Sequence, residues 1–270
     1  MVKRAVIVKI SRYYQYFRNV IEVLAEYFKS GLVLAASFFF FSCSLNQQTS
    51  YSAPPEENLK LLRNQIVSAV KVFEVITASK ADRVPVRYVK RARCLAIFPG
   101  VIKAAFIAGA NHGYGLGVCR VKDRWSRIAF FGLTGGSFGF QFGAEVSDLL
   151  LLFMDQEAAQ SLMENQLTLG VDVGIVAGPS GESMKEKTNA NLEGILAYSI
   201  AEGAFAGLSV EGAVLTPDEA SNIIYHKDYT EVSQLLTEAH NFDLNTEEEL
   251  LLGSLNHFSA ISGTSTQTKK

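Results

Sequence analysis

Apolar positions recur every three or four residues through EENLKLLRNQIVSAVKVFEVITASK (56–80). Leu59, Leu62, Ile66, Val70, Phe73 and Ile76 form one stripe, with Lys60, Arg63 and Lys71 off it, and this period predicts an amphipathic helix. Val84-Pro85 breaks the pattern, and VRYVKRAR predicts a short basic helix with Pro85 at its first position. From Cys94 the period changes. CLAIF, IKAAFIAGA, GYGLGVCRVK, SRIAFFGLTG, SFGFQFGAE and DLLLLFM are short runs rich in aromatic and β-branched residues, punctuated by glycine, and they predict strands. Phe138, Phe140 and Phe142 alternate with small or polar residues, so three rings buried on one sheet face are expected. Asp155 caps a predicted helix over DQEAAQSLMEN. Strands resume at LTLGVDVGIVAG, where alternation puts Asp172 on a polar sheet face, and a hairpin is predicted across GILAYSI-AEG-AFAGLSVEGAVL with Gly203 in its turn. Thr216-Pro217-Asp218-Glu219 reads as a capping-box start with Pro217 at the first helical position, and helices follow over 217–225, 231–239 and 247–258.

The fold class expected from this order is α+β: N-terminal helices packed on a strongly bent antiparallel sheet or partly closed barrel, with C-terminal helices. Ahead of it stands GLVLAASFFFF (31–41), an apolar run of eleven residues interrupted only by Ser37. That is about half the roughly 20 needed to span a bilayer, but it matches the apolar core of a secretory signal, with positive charge before it and small residues after. Cys43 after Ser42 resembles the lipobox of bacterial lipoproteins, with Phe40 where leucine is usual. The resemblance implies a lipid-attached Cys43 as the first mature residue. An uncleaved anchor and a cytoplasmic element are the alternatives. Residues 44–58 are polar, with two prolines, and predict an extended tether. The expected organisation is therefore a leader (1–42), a lipidated cysteine and tether (43–58), a domain (59–240), and a C-terminal helix with a frayed tail (241–270).

A net charge of −2 conceals a polarised chain. From Lys80 to Arg127 eleven bases face only Asp82 and Asp123, whereas from Glu145 to Ala260 twenty acids face three lysines. Basic charge gathered in one segment is a footprint for phosphates, on lipid headgroups or nucleic acid; the bland alternative is a surface that balances the acidic half. Two cysteines remain in the body of the chain, Cys94 and Cys119, both in apolar strand-like runs. Free buried thiols are favoured over a bond between them. GANHGYGLG (109–117) continues as strand rather than opening a helix, so it is no dinucleotide fingerprint, and FGLTGGSFGFQFG lacks the Gly-Lys-Ser/Thr end of a P-loop. No HExxH, CxxC pair, GxSxG or paired-carboxylate motif occurs, and His112, in the glycine-rich strands, is expected at a turn or edge. No catalytic residue, cofactor or metal site is expected.

Several blocks resemble the SYLF domain family in order and spacing: CLAIFPGVIKAAFIAGANHGYGLGVCR, TGGSFGFQFGAEVSDLLLLFM, LTLGVDVGIVAGPSG, GILAYSIAEGAFAGLSVEGAV and IIYHKDYT, over roughly residues 60–236. The resemblance implies a non-catalytic domain that binds acidic phospholipids, with actin regulation in fungal relatives. It also implies that an amphipathic helix at the start of the domain and nearby bases meet the membrane. The matching positions are the Leu59–Ile76 helix with Lys60, Arg63 and Lys71, joined by Arg83, Arg87, Lys90, Arg91 and Arg93. Export would put actin and phosphoinositides out of reach, which leaves generic anionic-lipid binding. The expected partner is therefore an anionic phospholipid membrane, with an envelope protein as a second expectation and no nucleic acid. The expected location is the cell envelope, facing the periplasm.

Overall fold

The structure, a computed structural model, describes residues 55–78, 84–105, 108–138, 143–178, 193–201, 210–239 and 245–260. All of them lie in the second of two compact units, Ala53–Lys270. Cys43, Arg83, Phe140 and Phe142 fall outside the described residues, as does the side chain of Phe138.

The chain begins with helix α1 (Pro55–Ala78) and the short α2 (Val86–Arg91). Strands β1 (Cys94–Ala105), β2 (Ala108–Val121), β3 (Arg124–Trp125), β4 (Ala129–Phe138) and β5 (Gly143–Phe153) follow. After α3 (Gln156–Ser161) come β6 (Leu167–Thr168), β7 (Ile175–Ala177), β8 (Ile195–Ala201) and β9 (Val214–Pro217). Helices α4 (Glu219–His226), α5 (Val232–Thr237) and α6 (Thr246–Ala260) close the domain. The architecture is α+β, with α1 packed on a strongly curled sheet and helices at the C-terminal end. The strand order is β6-β9-β4-β2-β1-β5-β8-β7, with β3 paired to β2. The sheet is mixed rather than purely antiparallel, because β7 runs parallel to β8. A parallel pair needs a crossover of a dozen or more residues, and residues 178–194 supply it.

At the end of the sheet that carries Cys94 and Phe153, both faces are covered. Leu95, Ile97, Leu116, Leu150 and Leu152 meet the stripe of α1, whose Ile66, Phe73 and Ile76 are fully buried. On the other face Phe98, Phe131, Leu149 and Leu151 pack with residues of α3 and α5. This explains the unbroken apolar run DLLLLFM: neither side of β5 faces water there. CLAIF and the start of IKAAFIAGA (Ile102–Ala105) prove to be one strand, bent at an irregularity between Ile97 and Ile102, while Ala108–Ala110 open β2. Gly100 sits in the bend with φ +67°, which glycine tolerates without a Cβ clash, and its N–H donates to the Asp148 carboxylate at 2.8 Å.

Four expectations change. Cys94 and Cys119 are bonded, not free, because the β1–β2 register sets them directly opposite with Cα atoms 4.0 Å apart. Gly203 and the turn of the expected hairpin lie outside the described residues, but the end of its second arm does not pair with β8: β8 pairs with β5 and β7, while Val214–Pro217 pairs with β4 and β6. Asp172 lies in a turn, where its carboxylate accepts from Thr168 N–H at 2.6 Å. The caps shift as well. Asp218, not Thr216, caps α4, its carboxylate accepting from Ser221 N–H, and Pro85 is the residue before α2 rather than its first. Asp155 does cap α3, and its second carboxylate oxygen accepts from Gly194 N–H.

Candidate functional site

The basic segment is built around α2. Tyr88 and Val89 are buried, which fixes the roll of this six-residue helix and leaves Arg87, Lys90 and Arg91 exposed. Arg93 is exposed where the chain enters β1. Arg87 donates Nη2–H to Tyr88 Oη at 3.1 Å and lies over the same ring, 4.8 Å from its centroid. The helix is held from below by a residue the sequence did not single out for this role. Arg120 of β2 donates to the carbonyls of Ala92 (3.2 Å) and Val89 (3.3 Å), and its guanidinium stacks on Trp125 at 4.1 Å. A cation on the last carbonyls of a helix complements the negative end of its dipole. Burial lowers the pKa of Arg120. Its signal in the sequence was the Arg-x₄-Trp spacing across the β2–β3 turn, legible only once that turn is known.

The eleven bases therefore do different jobs. Arg120 is half-buried beneath α2, and Arg127 faces Asp228 and Glu238, each at 3.9 Å, so there the basic half does balance the acidic half. Lys60, Arg63 and Lys71 are exposed along the outer face of α1, beside the exposed Leu61 and Val75. Lys60 and Lys71 stand about 16 Å apart along the helix axis, at about 1.5 Å per residue. So α2 gathers three of the predicted bases within two turns, with Arg93 following, while α1 spreads three more along its length. The apolar stripe of α1 is core, and any membrane contact by this helix must use its outer face.

Catalytic furniture is sparse among the described residues. No group of three or more His, Cys, Asp or Glu side chains could hold a metal ion. A depression lined by Asn165, Glu219, Asn222 and Tyr229 encloses about 20 Å³, room for one water. His112 lies in the central strand β2, not at an edge, exposed and edge-on to Tyr114 at 4.8 Å. No described helix is long and apolar enough to cross a membrane.

Residues 134–257 match the family Ysc84, described as Las17-binding protein actin regulator. The yeast (Saccharomyces cerevisiae) protein YSC84 is 35% identical over 193 residues, 69% of this chain and 38% of that protein. This chain carries a SYLF domain. A second yeast relative of the SYLF domain, LAS seventeen-binding protein 3, is 32% identical over 177 residues, 64% of this chain and 38% of its own length. The human SH3 domain-containing YSC84-like protein 1 is 31% identical over 174 residues, 63% of this chain and 51% of its own. The chain thus spans between two fifths and half of the length of the relatives it matches. The family is one of actin-regulator-related proteins.

One titrating group in the SYLF domain links fold to pH. His226 of α4 donates Nε2–H to the Ile128 carbonyl at 2.7 Å, and burial, with help from nearby Arg127, lowers its pKa below the ordinary 6.5. On acidification the unfolded chain therefore binds the proton first. This contribution to stability is complete above about pH 7.5 and drains as pH falls through the unfolded value toward the folded one. His226→Gln, which can keep the donor, should show a smaller fall in melting temperature than the parent between about pH 7.5 and about pH 5.5. Parallel curves for the two proteins would show that His226 is not the responsible group.

Proposed function

We propose that this protein is a non-catalytic membrane-binding module of the cell envelope, which holds anionic phospholipid surfaces through the exposed bases of α2 and the outer face of α1. One observation carries the reading: Arg87, Lys90, Arg91 and Arg93 are all exposed within seven residues, and no Asp or Glu occurs between Asp82 and Asp123. Binding rather than catalysis also fits the relatives, whose names denote binding and actin regulation. The test uses Ala53–Lys270, the unit that holds both cores. It should float with vesicles containing phosphatidylglycerol, not with pure phosphatidylcholine, and salt should weaken the binding, since charges beyond a Debye length of about 8 Å are screened. Equal flotation with both vesicle types would sink the electrostatic reading.

The envelope location rests on the apolar run before Cys43, and it is supported by the Cys94–Cys119 bond, which persists in oxidising compartments. Cys43→Ala should release the protein from membranes or leave an unprocessed precursor. A mature N-terminus found by mass at any residue other than a lipidated Cys43 refutes the anchor. A second reading is a scaffold that binds a protein, favoured by the name of the yeast relative LAS seventeen-binding protein 3.

A further inference from the structure

The helix layer stops short of one end of the sheet. Gln65 of α1 donates Nε2–H to the Gly115 carbonyl at 3.1 Å, and one residue further along β2 Tyr114 is 53% exposed. Beyond it the register sets Val146, Ile102, His112 and Thr134 in one row across β5, β1, β2 and β4. All four are exposed, Ile102 at 42% and Val146 at 55%. The opposite side of the same strands is closed over Val101, Gly113 and Leu133. A bare row of aromatic and branched side chains on one face of a sheet needs an occupant.

Charge selects which one. Residues 104–119 and 128–144 contain no Asp, Glu, Lys or Arg in a chain that is 19% charged, and the charges next to Ile102 and Val146, Lys103 and Glu145, oppose each other one residue on, on the other side of β1 and β5. A protein partner would normally meet a rim of polar and charged groups, whereas hydrocarbon meets none. Tyr114, with His112 edge-on to it, suits the boundary between headgroups and acyl chains, where amphipathic rings concentrate. Eleven residues lie between Cys43 and Pro55, a reach of at most about 40 Å when fully extended, so a lipid-attached Cys43 would keep this end within range of its own bilayer.

We infer that the uncovered end of the sheet inserts shallowly into the membrane, with Ile102, Tyr114 and Val146 entering the acyl boundary; this rests on the anchored, lipid-binding reading above. Insertion supplies a salt-resistant contact at the opposite end of β1 and β2 from the salt-sensitive one made by α2. The test uses the full chain in vesicles of phosphatidylethanolamine and phosphatidylglycerol with brominated acyl chains. Trp125, the one tryptophan, is buried and paired with Arg120, about 20 Å along β2 from Tyr114 at about 3.4 Å per residue, so the parent protein is the reference. Tyr114→Trp adds a reporter whose emission should shift to the blue and be quenched by the bromines, while Trp125 is spared. Adding Ile102→Glu and Val146→Glu should abolish both effects. A reporter that stays water-like, in a protein whose domain still floats with anionic vesicles, overturns the insertion and leaves the lipid reading standing. A water-like reporter together with a domain that ignores anionic vesicles overturns both. A reporter shielded from bromine, in a dimer that the two glutamates split, makes the occupant a second copy of the chain and overturns the inference as well.

Discussion

Phe73→Ala should destabilise the domain by about 3–5 kcal/mol, the usual cost of emptying a buried phenylalanine site. Phe73 is fully buried at the centre of the α1 stripe and edge-on to Phe258 of α6, with ring centroids 5.6 Å apart. The same helix offers its own control. Val75, two residues on, is 56% exposed, and Val75→Ala should change stability by no more than about 0.5 kcal/mol. Urea unfolding of Ala53–Lys270 reads both. The contrast bears on function, because a stripe that is core cannot also be the surface that meets lipid. A Phe73→Ala protein as stable as its parent would mean that the stripe is free, and would return it to the list of membrane contacts.

Reversing Arg87 and Arg91 to glutamate together should weaken binding to anionic vesicles at least about thirtyfold. Each base near such a surface is worth about 1 kcal/mol, so losing two removes about 2 kcal/mol, and the introduced acids add repulsion. Both side chains point outward from a helix fixed by buried Tyr88 and Val89 and capped by Arg120, so the fold should survive. Arg120→Glu is a poor substitute, since it would strand a carboxylate against the carbonyls of Val89 and Ala92. Binding unchanged by the double reversal would remove α2 from the lipid site.

Local pattern carried much of this fold. The 3.6-residue period of α1, the alternation that marks β2 and β4, and the Asp155 cap were all legible because each depends on residues near in sequence. What failed was long-range. Nothing in residues 204–217 says that Val214–Pro217 will leave its neighbour β8 and pair with β4, some eighty residues earlier. The Cys94–Cys119 bond depends on the β1–β2 register, which the irregularity at Pro99-Gly100 resets. The same limit governed the site. Arg87, Lys90 and Arg91 were readable as one exposed group at helical spacing, but Arg120 and Arg127 looked identical to them in composition. Only the tertiary fold assigns one to a helix end and the other to Asp228 and Glu238.

The pairing of α1 with α6 also bears on how the protein can be cut. Ser254 donates to Glu74 at 3.0 Å and Phe258 covers Phe73, so the first and last described helices share one interior. The stretch that matches the Ysc84 family, residues 134–257, contains α6 only as far as His257, without Phe258, and none of α1, β1 or β2. A fragment trimmed to that stretch would lack the two middle strands of the sheet and would leave the apolar side of α6 with nothing to rest on. A protease that removed α1 would therefore take the fold with it, whereas nicking ahead of Pro55 would leave every described element of the domain in place.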